Sequence, residues 1–379
     1  MMSKTAAEPL VRISKREGTT FVQKVLVRAI AILLALVVDA FFIFFVTGLN
    51  PISVYGVMWN GTFMNTTRFS WALRDLSSLL CIAIALAPAF KMRFWNIVGE
   101  GQFILGAVAA TTVAFKLGPV LPSAMTLILM CLAGMLAAGI YGAIVAVLKV
   151  KFGTNETLMT LMLNYVALYF VTFLGETQAE WNFYLDKSSV RPIFATFSQY
   201  VSFPRIPFGK FGLNVCVIFT FLIGILVYVY LKYTKHGYEI AVIGESENTA
   251  RYAGMNVGWV IMRTMFLSGA IAGVVGFLLV SGANNTLYSG VAAGAGFTAI
   301  TVAWLAQLNP FAMVGISALL AVLQKGADTL NTQMGIPASL SDVITGVLLF
   351  FMLGCEFFIN YKLVFRGAEE RHKRKEAAK

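Results

Sequence analysis

A few polar side chains set inside long apolar runs carry whatever chemistry this 379-residue sequence can perform. Asn96, Glu100 and Gln102 lie in RFWNIVGEGQ (93–102), and Asn164 lies in ETLMTLMLNY (156–165). Thr298, Thr301, Trp304 and Gln307 lie in GVAAGAGFTAITVAWLAQLNP (290–310). Amides, hydroxyls, one carboxyl group and one indole can hold a polar solute by hydrogen bonds and stacking, but they supply no nucleophile–base pair. The two histidines, His236 and His372, fall in polar segments. The cysteines Cys81, Cys131, Cys216 and Cys355 each stand alone in an apolar run, without metal-ligand or disulfide spacing. No GxxxxGK[ST] phosphate-binding loop occurs, so ATP hydrolysis is not expected of this chain. Neither enzymatic activity nor a cofactor is expected.

The elements that must position these residues follow from composition. Hydrophobic residues make up 58% of the chain and charged residues 12%, with a mean hydropathy of +0.78; a soluble domain carries about 25% charged residues. A run of about 20 apolar residues spans the hydrocarbon core, and these runs do not alternate as barrel strands do. The expected fold is an all-α integral membrane protein of about ten transmembrane helices. They are placed near 25–47, 74–92, 101–116, 120–148, 157–174, 213–232, 259–281, 295–308, 310–328 and 341–362. The stretch 25–46 is too long for a signal peptide and lacks a cleavage pattern, which makes it a retained first helix.

The sequence divides into a basic N-terminal arm (1–24), a transmembrane domain (25–362) and a basic tail (363–379). Within the domain lie an external segment (175–212) and a polar cytoplasmic segment (232–258). With the N-terminus inside, 19 of the 29 Lys and Arg residues face the cytoplasm and 8 the outside, Lys325 among the latter. That bias puts both termini in the cytoplasm. It also assigns the net charge of +11 to orientation against anionic lipid rather than to nucleic acid.

Ten spans split into two five-helix halves that must insert with inverted orientation. The polar break at 96–102 and the Gly-rich break at 282–296 fall at corresponding places in the halves, as they do beside translocation paths. Two readings stand for Glu100: a surface carboxylate paired with Lys91 or Arg93, or a group that joins two helix ends or lines the path. Thr154 or Asn155 can cap the N-terminus of a helix whose positive end Glu156 favours, whereas Asn164 is expected to face a partner helix or a polar cavity. Gly269–Gly273 and Gly290–Gly294 have GxxxG spacing, which permits close helix packing. In the segment 232–258, Ser246 or Asn248 can cap a short helix that Gly254 would end, presenting Ala250, Tyr252, Ala253 and Met255.

Three stretches resemble a known family: FWNIVGEGQFILGA (94–107), KFGTNETLMTLMLNYVALY (151–169) and GYEIAVIGESENTARYAGM (237–255). They are similar to inner-membrane permeases of ABC importers in the branched-chain amino acid and simple-sugar permease superfamily, especially its purine-nucleoside-type members. The resemblance implies a multi-pass subunit of the bacterial cell membrane that imports nucleosides by alternating access, with simple sugars as the alternative. It implies a cytoplasmic ABC ATPase, a second permease subunit of homologous but different sequence, and an extracytoplasmic solute-binding lipoprotein as partners. Coupling to the ATPase would fall on Gly237, Gly244, Ala250, Tyr252, Ala253, Gly254 and Met255, rocking the second to fifth helices against the seventh to tenth. The path would draw on Asn96, Glu100, Gln102, Asn164, Thr298, Thr301, Trp304 and Gln307. Val98 stands where the family usually has glycine, and Ile240 and Ser246 replace a common Arg and Asn. An ion-coupled transporter is the rival, but Asp39 and Arg263 are its only plausible intramembrane charges.

Overall fold

Apolar segments become helices in this chain because a backbone in hydrocarbon must satisfy its polar groups within the segment. The computed structural model describes residues 11–16, 20–64, 66–198, 201, 203, 206–208, 211–292 and 294–365. The chain begins with β1 (Val11–Lys15), α1 (Phe21–Thr47), α2 (Pro51–Phe63), α3 (Thr66–Lys91) and α4 (Gly99–Leu117). It continues through α5 (Ser123–Phe152), α6 (Glu156–Glu176), β2 (Ile206–Phe208), β3 (Phe211–Leu213) and α7 (Val215–Tyr233). Then come α8 (Lys235–Glu245), α9 (Glu247–Tyr252) and α10 (Val257–Leu278), the last extended by a π-helical turn (Leu279–Asn284). The chain closes with α11 (Ala295–Leu305), α12 (Pro310–Met334), α13 (Ala338–Asn360) and β4 (Tyr361–Phe365).

Eight helices among the described residues are long and apolar enough to cross a membrane: α1, α3, α5, α6, α7, α10, α12 and α13. The 19-residue α4 and the 11-residue α11 fall outside that set. Several elements differ from expectation. α2 has no counterpart in the hydropathy pattern, because Gly56, Asn60 and Gly61 interrupt its apolar run. α11 ends at Leu305 rather than 308, since Gln307 and Leu308 adopt left-handed φ of 51° and 58°. Arg68 and Arg74 lie in α3, Lys116 in α4 and Lys325 in α12, not in external loops; Lys325 pairs with Asp75 at 2.9 Å and Asp328 at 3.0 Å. Two short antiparallel ribbons, β1–β4 and β2–β3, accompany the helices. Residues 1–10 and 17–19 of the basic arm and 366–379 of the tail lie outside the described residues.

The chain forms two compact units, 1–57 with 330–379, and 58–329. In the first, α1 packs on α13 around Ala31, Cys355 and Ile359, and Arg28 pairs with Glu356 at 2.6 Å. Asp39 of α1 is fully buried there, with neither carboxyl oxygen hydrogen-bonded.

The second unit is centred on α4, α5 and α10, whose backbones touch through glycines. A Cβ on Gly106 would stand 2.5 Å from the Gly273 Cα, and one on Gly134 would stand 3.0 Å from the Gly273 carbonyl oxygen. A Cβ on Gly273 itself would collide with the Gly134 carbonyl. This contact explains the Gly269–Gly273 spacing. The Gly290–Gly294 pair has a different explanation: it lies in the non-helical connector before α11, so its spacing packs no helix. Gly273→Leu is expected to exceed the usual overpacking penalty of about 1–3 kcal/mol, because the obstructing atoms are backbone. The mutant should fail to elute as a single species from detergent extracts. A normal elution profile and melting temperature would refute the contact.

Candidate functional site

The first break follows α3. Arg93 takes a left-handed φ of 59°, and residues 94–97 leave helical geometry before α4 restarts at Gly99. A break of this kind strands backbone groups that must find partners, and buried amides supply them. The Asn164 side chain donates from Nδ2 to the Ile97 carbonyl (2.6 Å) and accepts at Oδ1 from the Gly101 N–H (2.8 Å). Asn96 Nδ2 donates to Ser268 Oγ (3.1 Å) and more weakly to Gln102 Oε1 (3.4 Å). The Ser268 hydroxyl donates in turn to the Ala85 carbonyl (2.7 Å). Asn96, Gln102 and Asn164 are thus buried and bind α3, α4, α6 and α10 together. Val98 is also buried with φ −70°, a conformation that does not call for glycine.

The second break begins in the π-helical turn 279–284, a form concentrated at functional positions. Asn285 and Gly294 take left-handed φ of 55° and 75° on either side of the connector, and α11 starts at Ala295. The two breaks meet at Glu100. Its Oε1 accepts from the Gly294 N–H at 3.2 Å, and a Cβ on Gly296 would stand 2.5 Å from Glu100 Cβ and 2.7 Å from its backbone nitrogen. The N-terminal ends of α4 and α11 therefore abut, with one carboxyl group between them. Helix N-termini are electropositive and favour a carboxylate, which explains how Glu100 is 2% exposed without a cationic partner among the described residues. The pairing with Lys91 or Arg93 is overturned: Lys91 donates to the Leu231 carbonyl (3.1 Å), and Arg93 approaches Glu245 at 3.9 Å.

α11 has two unlike faces. Gly296, Ala299, Val302, Ala303 and Leu305 are buried, consistent with packing on α3 and α4. Phe297, Trp304 and Gln307, the last just past the helix end, are exposed, with Thr298 and Thr301 half-buried beside them. The Trp304 ring stacks on Trp95 at a centroid distance of 5.2 Å and meets Phe90 at 5.6 Å. The eight polar candidates thus separate into an internal set (Asn96, Glu100, Gln102, Asn164) and a surface set (Thr298, Thr301, Trp304, Gln307). Two further residues, Trp95 and Ser268, complete these sets. The signals for them are positional: Trp95 stands in the break motif, and Ser268 immediately precedes the Gly269–Gly273 pair.

The segment 232–258 forms two helices rather than one. Thr234 caps α8 by accepting from the Gly237 N–H, and Ser246 caps α9 by accepting from the Thr249 N–H, both at 3.2 Å. The seven residues assigned to coupling divide by burial. A Cβ on Gly237 would strike the Leu231 carbonyl, and one on Gly244 the Lys91 carbonyl; Ala250 is also fully buried. These three grip the segment. Tyr252 is 93% exposed, with Ala253 and Gly254 exposed and Met255 half-buried. Glu239 pairs with Arg263 at 2.9 Å, tying α8 to α10.

Broken helices thus meet at a buried carboxyl group, with a separately capped polar segment gripping the end of α3. The profile of the family described as branched-chain amino acid transport system / permease component matches residues 68–353; the chain belongs to that family. It is 28% identical over 353 residues to the guanosine ABC transporter permease protein NupP of Bacillus subtilis, covering 90% of this chain and 97% of that one. It is 27% identical over 344 residues to the nucleoside ABC transporter permease protein NupB of Lactococcus lactis, covering 90% and 93%. It is 29% identical over 322 residues to the glucose ABC transporter permease protein TsgB13 of Haloferax volcanii, covering 83% of each.

Proposed function

We propose that this chain is the permease subunit of an ABC importer that moves nucleosides, purine nucleosides foremost. The observation that carries this reading is the outward face of α11 and the turn after it. Lipid-facing helices expose apolar side chains, as α7 does with Ile218, Leu222, Ile225, Leu226 and Val229. α11 and its turn instead present rings, hydroxyls and an amide: Phe297, Trp304, Thr298, Thr301 and Gln307. An uncharged face of this kind suits a neutral solute with an aromatic base and sugar hydroxyls. The permease relatives named for guanosine and nucleosides support the same class.

In this reading α4 and α11 complete ten spans in two inverted five-helix halves, and both termini are cytoplasmic. Tyr252, Ala253, Gly254 and Met255 receive the partner ATPase. Gly237, Gly244 and Ala250 hold the segment that carries its motion to the first break, and Glu100 passes that motion to α11. A second permease subunit completes the path, and the external segment 175–212 receives a solute-binding lipoprotein. Solute contacts along the path are weak, since tight binding would stall transfer.

Uptake of radiolabelled guanosine, ribose and leucine by cells with and without the gene tests the reading. Guanosine uptake should disappear on deletion and be competed by other purine nucleosides. Loss of ribose uptake alone would transfer the role to sugars, the class to which the Haloferax volcanii glucose permease points.

A further inference from the structure

A cavity of about 550 Å³ opens where the turn 118–122 joins α4 to α5, with residues 196–198 and Val201 lying across it. We infer that this cavity is an entrance site for a neutral, ring-bearing, hydroxylated solute of the nucleoside class, separate from the α11 face. The inference rests on the importer reading above for the identity of the solute.

Three features of the wall carry it. The volume falls within the roughly 300–1,000 Å³ of small-molecule sites. The lining supplies two rings, Phe115 and Phe197, which meet edge to face at 5.3 Å. It also supplies the hydroxyls of Ser123, Thr196 and Ser198, none of which bonds to another described residue. No acidic or basic side chain lines the cavity among the described residues. A zwitterionic amino acid would leave both of its charges uncompensated there, whereas a nucleoside offers a base to the rings and a sugar to the hydroxyls.

The wall is also fastened to the second break. The Phe197 N–H donates to the Asn285 carbonyl (2.8 Å), and Thr196 bridges to Thr286. The Ser281 hydroxyl, within the π-helical turn, donates to the Val201 carbonyl (2.8 Å). An occupant of the cavity would therefore press on a wall bonded to the segment that leads into α11. No such fastening is needed for a passive surface hollow.

Photolabelling of the purified full-length chain with 8-azidoguanosine, run beside guanosine uptake in cells, tests this inference. Label is expected within 114–123 or 196–198, competed by guanosine and not by leucine. It should be lost in Thr196→Trp, which sets a bulky ring across the cavity. In cells, Thr196→Trp and Ser123→Trp should each raise the half-saturating guanosine concentration about tenfold or more at unchanged membrane abundance, tenfold corresponding to 1.4 kcal/mol of lost binding. Label confined to 295–307, or absent while wild-type cells take up guanosine, would overturn the entrance site and leave the importer reading intact. Absence of both label and guanosine uptake would overturn the two together. Label in the cavity without guanosine uptake would support the site and reject guanosine as the transported solute.

Discussion

Glu100→Ala is expected to abolish solute uptake while leaving the chain in the membrane. The substitution removes the acceptor for the Gly294 N–H and leaves the electropositive ends of α4 and α11 facing each other uncompensated. A hydrogen bond to a charged group contributes about 1.5–3 kcal/mol, and a carboxylate at a partly buried helix N-terminus up to about 2 kcal/mol. Both contributions are lost at a junction where the two positive helix ends stand at backbone contact through Gly296, so the repulsion acts at short range. Glu100→Gln keeps an accepting oxygen at the same reach but loses the charge, so it should retain part of the uptake. Glu100→Asp keeps the charge one methylene short of Gly294 and should resemble the alanine variant. The order wild type, Gln, then Asp with Ala is expected in both uptake and detergent melting temperature. Wild-type uptake by Glu100→Ala would show that the junction of the two breaks has no role in transport.

Ala253→Asp should stop transport by a different route, with normal abundance and an unchanged melting temperature. Ala253 is exposed directly after α9, beside Tyr252, on a surface that no described element covers. A carboxylate there adds negative charge at the electronegative end of α9 and must be desolvated when a partner covers the surface. The readout that isolates coupling is solute-stimulated ATP hydrolysis in the assembled transporter, which should fall to the unstimulated level. Asn248→Asp is the control: it places the same charge in the first turn of α9, where it favours the helix, and uptake should be retained. Normal uptake in Ala253→Asp would remove the 252–255 surface from the coupling role, leaving the buried glycines without a function beyond packing.

Local features of this fold are legible in the amino-acid sequence. The apolar runs locate most helices to within a few residues, and the caps at Asn155 and Ser246 follow from side chains that can accept a backbone N–H. The features that make the site are contacts between distant positions. Glu100 and Gly294 are 194 residues apart and Asn164 and Gly101 are 63, and no periodicity brings either pair together. GxxxG spacing reads the same in a helix and in a connector, so Gly290–Gly294 carries the pattern of a packing pair without the helix that would use it. Lys325 illustrates another blind spot: a lone cation near the end of an apolar run suggests a boundary, yet its bond to Asp75 lets α12 continue to Met334.

The glycine contact among α4, α5 and α10 constrains how this permease can move. At Gly106, Gly134 and Gly273 the helix backbones themselves are in contact, with no side chain between them. We propose that the three helices move together, which would shift the division expected between the second to fifth and the seventh to tenth spans away from this contact. Compliance would then fall to elements outside the block, such as α6, which meets α4 through the Asn164 side chain, and α7, which meets α3 where Gly224 faces Ile84. The permease would then work around a fixed post, with its gates hung on it rather than cut through it.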